Sequence, residues 1–190
     1  DLNSQPVSHT ADALQRSALE AAAGKCPRVL ELGSGNGIVS IMLALKRPLW
    51  KIDAIEIQPR LHELALGNAR LCGVSVNFKL SDLRDYDAAD KYDLIVSNPP
   101  WQKQGTGRQS KYAGRNISRH EVFCTMGDVL DCVQRNLSPA GRAILIYPEK
   151  REGDLRQEAE NTLLDIISAS FAAGLKDQKI FLIRHKGNSG

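Results

Sequence analysis

Short apolar runs alternate along this chain with longer segments whose apolar residues recur every three or four positions. The strand-like runs occupy residues 28–32, 51–57, 76–80, 92–97, 142–147 and 179–184. Four of the five segments between them predict amphipathic helices, and the last of these helices contains Leu155, Ala159, Leu163 and Ile166. Alternating strands and helices indicate an α/β fold with a mostly parallel central sheet and helices on both faces. We expect one domain over residues 1–190.

A glycine-rich segment follows the first predicted strand and opens a predicted helix. It reads ELGSGNG over residues 31–37. Glycines at such a turn let the backbone bend sharply and let a ligand approach main-chain atoms. A dinucleotide fingerprint has glycine at its first, third and sixth positions, which here hold Gly33, Gly35 and Ile38. The missing third glycine excludes the version of this loop that binds a pyrophosphate.

An acidic residue stands at or close to the end of each of the next two predicted strands. Glu56 is placed to accept hydrogen bonds from both hydroxyls of a ribose, and Asp82 to accept one from the amino group of an adenine. A surface role for Glu56 and a loop-initiating role for Asp82 are the alternatives. Because the carboxyl ends of parallel strands meet at one edge of a sheet, the pattern predicts a crevice that binds a nucleoside.

The glycine loop, with Glu56 and Asp82 after it, resembles the motifs of class I methyltransferases. The resemblance implies a Rossmann-like fold and S-adenosyl-L-methionine as the cofactor, whose sulfonium also accounts for the failed dinucleotide pattern. It places Glu31 near the methionine end of the cofactor, Glu56 on the ribose and Asp82 on the adenine. The implied cofactor-binding residues are Glu31, Gly33, Gly35, Gly37, Glu56, Ile57, Asp82, Leu83 and Asn98.

The fourth predicted strand ends in Asn98-Pro99-Pro100-Trp101. If the side-chain oxygen of Asn98 and the carbonyl of Pro99 accept the two N–H bonds of an amino group, the nitrogen lone pair is directed towards the methyl donor. The prolines fix the direction of that carbonyl, and Trp101 offers a face for stacking on a flat target. A strand-ending turn with a buried tryptophan is the alternative.

This motif is similar to the (D/N)PP(Y/F/W) signature of N-methyltransferases that act on adenine, guanine or glutamine amides. Arg119-His120-Glu121 resembles an element of the bacterial tRNA adenine-N6 methyltransferase family that modifies a valine tRNA. Asn98, Pro99, Pro100 and Trp101 are then the expected catalytic residues. The chain departs from that family by having Trp101 where tyrosine is usual. The final strand expected after Arg184 is also missing, which predicts truncation at one or both ends.

Residues 101–120 contain five basic residues and no acidic one, whereas the rest of the chain carries a net charge of −2. A local excess of positive charge beside the transfer motif predicts contacts with RNA phosphates. A solvated loop is the alternative, and a structural role for His120 stays open because methylation of an amino group needs no obvious general base. The expected RNA-binding residues are Lys103, Arg108, Lys111, Tyr112, Arg115, Arg119 and His120.

Several readings remain beside adenine-N6 methylation of tRNA. The transfer motif also suits a guanine-N2 rRNA methyltransferase or a protein glutamine-N5 methyltransferase, and a cofactor-dead scaffold is disfavoured because the motif residues are present. The four cysteines form no CxxC pair and are expected to be reduced core thiols. We further expect no metal, no membrane association, a cytoplasmic location, and a monomer or weak dimer.

Overall fold

The computed structural model describes residues 9–22, 27–99, 124–172 and 174–187. Its strands are β1 Arg28–Leu32, β2 Lys51–Glu56, β3 Asn77–Leu80, β4 Tyr92–Ser97, β5 Leu137–Pro148, β6 Leu164–Phe171 and β7 Gln178–His185. Its helices are α1 His9–Ala21, α2 Ile38–Lys46, α3 Pro59–Cys72, α4 Met126–Asn136 and α5 Glu152–Glu160. A short 3-10 helix, Glu149–Arg151, joins β5 to α5.

The strands form one sheet in the order β3-β2-β1-β4-β5-β7-β6. Strands β1 to β5 run parallel, and β7 lies antiparallel between β5 and β6. The chain reverses its direction of travel across the sheet between β1 and β4, which is the topological switch point where open α/β sheets bind ligands. The predicted fold class is confirmed.

Helices cover both faces of the sheet, so its central strands are apolar on both sides. Val29 and Ile144 point to the face that packs α1 and α2. The neighbouring residues Leu30 and Leu145 point to the opposite face, where they pack with residues of α4 and α5. Helix α1 was not predicted from the sequence, and it packs against α2 and β5. In the described residues, no helix is long and apolar enough to cross a membrane.

The prediction of one long last helix was wrong in its second half. Helix α5 ends at Glu160, and Ile166 belongs to strand β6. The Thr162 hydroxyl ends the helix by donating to the carbonyl of Ala159 at 2.8 Å while accepting from the amide of Leu164 at 3.1 Å. The sheet thus gains a seventh strand, β6, which precedes β7 in the chain; the expected truncation of the chain stays a prediction.

A polar cluster closes the opposite end of the sheet from the ends where β1 to β4 stop. The Asp53 carboxylate accepts hydrogen bonds from the Tyr92 hydroxyl at 2.6 Å, the Asn77 amide at 2.8 Å and the Arg28 guanidinium at 3.2 Å. Burial alone would raise the pKa of Asp53, but the bonds from Tyr92 and Asn77 lower it below its ordinary value. The cluster also reaches Tyr86, whose hydroxyl lies 2.7 Å from that of Tyr92.

Candidate functional site

A cavity of about 270 Å³ opens where strands β1 to β4 end. The predicted residues that line it are Gly33, Gly35, Glu56, Ile57, Asp82, Leu83, Asn98 and Pro99. The other lining residues are Leu32, Ile55, Gln58, Leu61, Ser81, Arg84, Ser97 and Cys124. The cavity therefore brings together the ends of four strands that are separated in sequence but adjacent in the sheet.

Two glycines of the loop after β1 adopt backbone angles that other residues avoid. Gly33 has a φ of 68° and Gly35 a φ of 56°, both in the left-handed region. Among the described residues, and apart from the glycine's own chain neighbours, no atom lies within 4 Å of the place where a Cβ would stand on either residue. Both residues line the cavity, so a side chain here would strain the turn and occupy space that is open to a ligand.

Glu56 is the acid that ends β2 on the cavity wall. It is buried, and its carboxylate accepts a hydrogen bond from the amide of Gly35 at 2.8 Å and another from the amide of Gln58 at 2.9 Å. These two bonds fix the carboxylate between the loop that follows β1 and the loop that follows β2. Each carboxylate oxygen has a second lone pair, so Glu56 retains capacity for two hydroxyl donors from a ligand.

The loop amides that would bind a phosphate in a nucleotide-binding loop are already bonded inside the protein. The Gly35 amide donates to Glu56, and the Gly37 amide donates to the carbonyl of Ser34 at 2.8 Å. The Ser40 amide, in the first turn of α2, donates to the Glu31 carboxylate at 3.0 Å. Two carboxyl groups thus stand where an anionic ligand would need free donors, which disfavours phosphate at this position.

Glu31 and Gly37 do not line the cavity, and their predicted contacts with a cofactor stay predictions. Glu31 is buried beneath the loop, where the Ser40 amide and hydroxyl both donate to it. Gly37 has a packing role, because a Cβ there would meet the Phe78 ring at 2.8 Å and the Ala65 methyl at 3.0 Å. Both residues therefore support the glycine-rich loop from outside the cavity.

Burial raises the pKa of Glu31 to about 7, although the bonds from Ser40 oppose the shift and the charge of Glu56 adds to it. The folded state therefore holds a proton that the unfolded chain releases near pH 4.5, so Glu31 costs stability as the pH rises from about 4.5 to 7. Because glutamine does not ionise, we expect the unfolding free energy of Glu31→Gln to fall by up to about 3 kcal/mol less than that of wild type as the pH rises. The measurement is the free energy of unfolding in urea, for wild type and for Glu31→Gln, at pH 5 and at pH 8.

The exposed Glu63→Gln on α3 is the control for the loss of one negative charge. Because Glu63 is exposed, this replacement should change the unfolding free energy by no more than about 0.5 kcal/mol. If Glu31→Gln and wild type differ by the same amount at pH 5 and pH 8, Glu31 does not titrate in this range.

Asp82 is held by a residue that the sequence analysis did not single out. The Arg84 guanidinium donates to both carboxylate oxygens, from Nε at 3.0 Å to Oδ1 and at 2.9 Å to Oδ2, and Nη2 also contacts Oδ2. The Arg84 amide donates to Oδ1 at 2.9 Å. The bonds from the Arg84 side chain lower the pKa of Asp82, so the carboxylate stays ionised. The two-residue spacing, typical of an Asx turn, was the available signal.

Asn98 and Pro99 form the wall of the cavity at the end of β4. Asn98 is exposed and Pro99 is buried. The Ser97 hydroxyl donates to the carbonyl of Leu32 at 2.8 Å, which ties the end of β4 to the end of β1. The other predicted transfer and RNA residues lie outside the described residues; they are Pro100, Trp101, Lys103, Arg108, Lys111, Tyr112, Arg115, Arg119 and His120.

The cysteines only partly match the expected core thiols. Cys132 is buried, Cys124 is partly buried on the cavity wall, and Cys72 is exposed; all three are free thiols. Cys72 was therefore predicted wrongly, because it ends α3 on its solvent side, and Cys26 lies outside the described residues. Within the described ranges, no group of three or more His, Cys, Asp or Glu side chains could hold a metal ion.

Comparisons with known proteins point to one group of enzymes. The methyltransferase small domain family matches residues 10–137. A tRNA1(Val) (adenine(37)-N6)-methyltransferase of Porphyromonas gingivalis is 34% identical over 145 residues, which cover 72% of this chain and 56% of the relative. A protein of the same name from Trichodesmium erythraeum is 30% identical, over 70% of this chain and 57% of the relative. The chain thus spans little more than half the length of these relatives.

Solved structures share the fold at low sequence identity. The ribosomal protein L11 methylase of Lactobacillus delbrueckii subsp. bulgaricus matches with a TM-score of 0.70 at 20% identity, over 94% of this chain and 80% of that one. The magnesium protoporphyrin IX methyltransferase of Synechocystis PCC 6803, solved with bound S-adenosylmethionine, matches with a TM-score of 0.66 at 16% identity, over 92% and 78% of the two chains. The expected Rossmann-like methyltransferase fold is confirmed.

Proposed function

The chain belongs to the methyltransferase small domain family, and we propose that it transfers a methyl group from S-adenosyl-L-methionine to the N6 nitrogen of an adenine in tRNA. One observation carries the proposal: the buried Glu56 carboxylate and the Asn98-Pro99 pair line the same cavity. Glu56 would bind the ribose of the cofactor, and Asn98 would hold the amino group of the acceptor. The same cavity could therefore bind both reactants of the transfer.

The residues around the cavity fit this cofactor. Glu56 offers its free lone pairs to the ribose hydroxyls, and Asp82 offers an ionised carboxylate to the adenine amino group. The amides of Gly35 and Ser40 are already bonded to carboxylates, which suits a cofactor without phosphates. The cofactor supplies a methyl group made electrophilic by a positively charged sulfur.

The chain's own contribution to the transfer is to hold the acceptor. An amino nitrogen conjugated with a ring is a weak nucleophile, because its lone pair is delocalised into the ring. If the Asn98 oxygen and the Pro99 carbonyl accept its two N–H bonds, the lone pair is turned out of conjugation and aimed at the methyl carbon. As the nitrogen–carbon bond formed, the carbon–sulfur bond would break with its electron pair left on sulfur, so the positive charge would pass from the sulfur to the nitrogen and the spent cofactor would leave as an uncharged thioether. The nitrogen would then release one proton to water or to the Asn98 oxygen.

The acceptor is proposed from two further observations. The similar proteins from Porphyromonas gingivalis and Trichodesmium erythraeum are named as adenine-N6 methyltransferases of a valine tRNA. The five basic residues in 101–120 follow the transfer motif directly in sequence and suit a polyanionic substrate. We also propose a cytoplasmic location, where such an RNA is found. A monomer or weak dimer stays an expectation.

The test is transfer of a labelled methyl group. The protein is incubated with labelled S-adenosyl-L-methionine and, in separate reactions, with tRNA, rRNA, DNA and protein extracts, and labelled nucleic acid is digested to nucleosides. N6-methyladenosine from tRNA is the expected product. N2-methylguanosine from rRNA would favour the guanine enzyme instead, and label on a glutamine side chain would favour the protein methyltransferase.

A salt series tests the contact with RNA. We expect the combined replacement of Lys103, Arg108, Lys111 and Arg115 by glutamine to weaken tRNA binding and to flatten its salt dependence. Each lost phosphate contact should reduce the slope of log affinity against log salt by about 0.7 to 0.9. Cofactor affinity should not change. Parallel slopes for the variant and the wild type would show that these side chains meet no phosphate.

A further inference from the structure

The connection between β3 and β4 forms one wall of the cofactor cavity without being a helix or a strand. Ser81, Asp82, Leu83 and Arg84 line the cavity from this connection. A carboxylate can recognise a ligand group only if the backbone that bears it keeps its place. The contacts that hold this connection therefore bear directly on what Asp82 can recognise.

The last turn of α4 holds the connection at two points. Nη2 of Arg135 donates to the carbonyl of Leu83 at 2.9 Å and to that of Arg84 at 2.8 Å. The fully buried Asn136 donates to the carbonyl of Tyr86 at 2.9 Å and accepts from the amide of Ala88 at 2.8 Å. Of these two side chains, only Arg135 reaches cavity-lining residues.

Through Arg84, the contacts of Arg135 extend to the Asp82 carboxylate, which is the group proposed to recognise adenine. Arg135 fixes the backbone of Arg84, and the Arg84 side chain and amide together hold the Asp82 carboxylate. Hydrogen bonds from a guanidinium are charge-assisted, and its planar geometry suits two carbonyls held at a fixed separation. A continuous series of polar contacts thus runs from α4, on one face of the sheet, to the carboxylate at the cavity.

We infer that Arg135 is a positioning residue for the recognition of adenine in the cofactor, acting through the backbone of Leu83 and Arg84 on Asp82. The inference rests on the proposed function, because it takes the cavity to bind S-adenosyl-L-methionine. Arg135 touches neither reactant. Its removal should therefore change how well the base is distinguished and leave the chemistry of methyl transfer alone.

The experiment compares two ligands that differ only at the base. Calorimetry measures the affinity of the full chain for S-adenosylhomocysteine and for S-inosylhomocysteine, in which an oxo group replaces the amino group. Wild type should prefer the adenine ligand by about tenfold or more, because an oxo group facing a carboxylate leaves both acceptors without a donor. Arg135→Met should bind the adenine ligand about five- to twentyfold more weakly and lose most of that preference.

Control variants and turnover separate this role from a structural one. Arg156→Met on α5 removes an exposed arginine paired with Glu152 and should leave both affinities unchanged. Arg135→Lys keeps the charge and some donors and should fall between wild type and Arg135→Met, which keeps the test decisive if the methionine variant is poorly folded. With saturating cofactor, kcat of Arg135→Met should stay within about twofold of wild type, while KM for the cofactor rises.

Each failure has a distinct meaning. Equal losses of affinity for both ligands, with the preference for adenine intact, would overturn the inference and leave Arg135 as a structural residue. Unchanged affinities in both Arg135 variants would overturn it as well. If wild type binds neither ligand, the proposed function itself fails.

Discussion

Asn98→Ala is expected to lower the turnover of methyl transfer about a hundredfold or more while leaving cofactor affinity within about twofold. The Asn98 side chain lies at the exposed rim of the cavity. The proposed partner of this side chain is the acceptor amino group. Its removal should therefore slow the step in which the nitrogen develops charge and should not weaken cofactor binding. Single-turnover rates on the RNA substrate, with calorimetry on the cofactor, measure the two effects separately.

Asn98→Asp is the matched variant for that experiment. An aspartate keeps an oxygen at the same distance from the backbone and can still accept an N–H bond, so it should restore part of the lost turnover. Asn161→Ala, at the exposed end of α5, controls for the loss of an asparagine elsewhere. Wild-type turnover by Asn98→Ala on the true substrate would rule out the proposed way of holding the amino group.

Glu56→Ala should weaken the binding of S-adenosyl-L-methionine by about 2–4 kcal/mol, or roughly thirtyfold to a thousandfold in Kd. Two causes act together. In the proposed binding mode the ribose hydroxyls would lose their acceptor, and the amides of Gly35 and Gln58 would lose the carboxylate that holds the loop in place. Calorimetric titration with S-adenosylhomocysteine measures the loss directly.

Glu56→Gln separates these two causes. The glutamine oxygen can still accept from one loop amide, whereas its NH₂ group cannot accept from a ribose hydroxyl. We expect an affinity between those of wild type and Glu56→Ala. The exposed Glu63→Gln should bind as wild type does. Unchanged affinity in Glu56→Ala would remove Glu56 from the cofactor site.

The cavity was largely predictable from the sequence because its acids and its amide directly follow apolar strands. Glu56, Asp82 and Asn98 each stand at or next to a strand end, and parallel strands place such ends side by side. The local sequence pattern, together with the rule that parallel strands end at the same edge of a sheet, was therefore enough to predict that these three residues lie close together. The same reasoning identified Gly33 and Gly35, whose backbone angles require glycine.

The residues that were missed act across long separations in the chain. Arg135 reaches the connection after β3 from 52 positions away, and no local pattern marks such a contact. The packing role of Gly37, whose lack of a side chain makes room for Phe78, also depends on a residue far away in the chain and was not predicted. Strand β6 was taken for helix because Leu155, Ala159, Leu163 and Ile166 have helical spacing, although Thr162 interrupts it. Long-range contacts decided the cases of Arg135 and Gly37, and the local hydrogen bonds of Thr162 decided the end of α5.

The bonded amides of the glycine loop also bear on competition inside a cell. ATP and the dinucleotide cofactors share an adenosine group with S-adenosyl-L-methionine, but they carry several negative charges on the 5′ side of the ribose. Those charges would approach loop amides that are already bonded to Glu56 and Glu31, so they would find no free donor there, and the Glu56 carboxylate on the cavity wall would repel them. We therefore expect the described part of this loop to disfavour adenosine compounds that carry phosphates and to favour a cofactor without them.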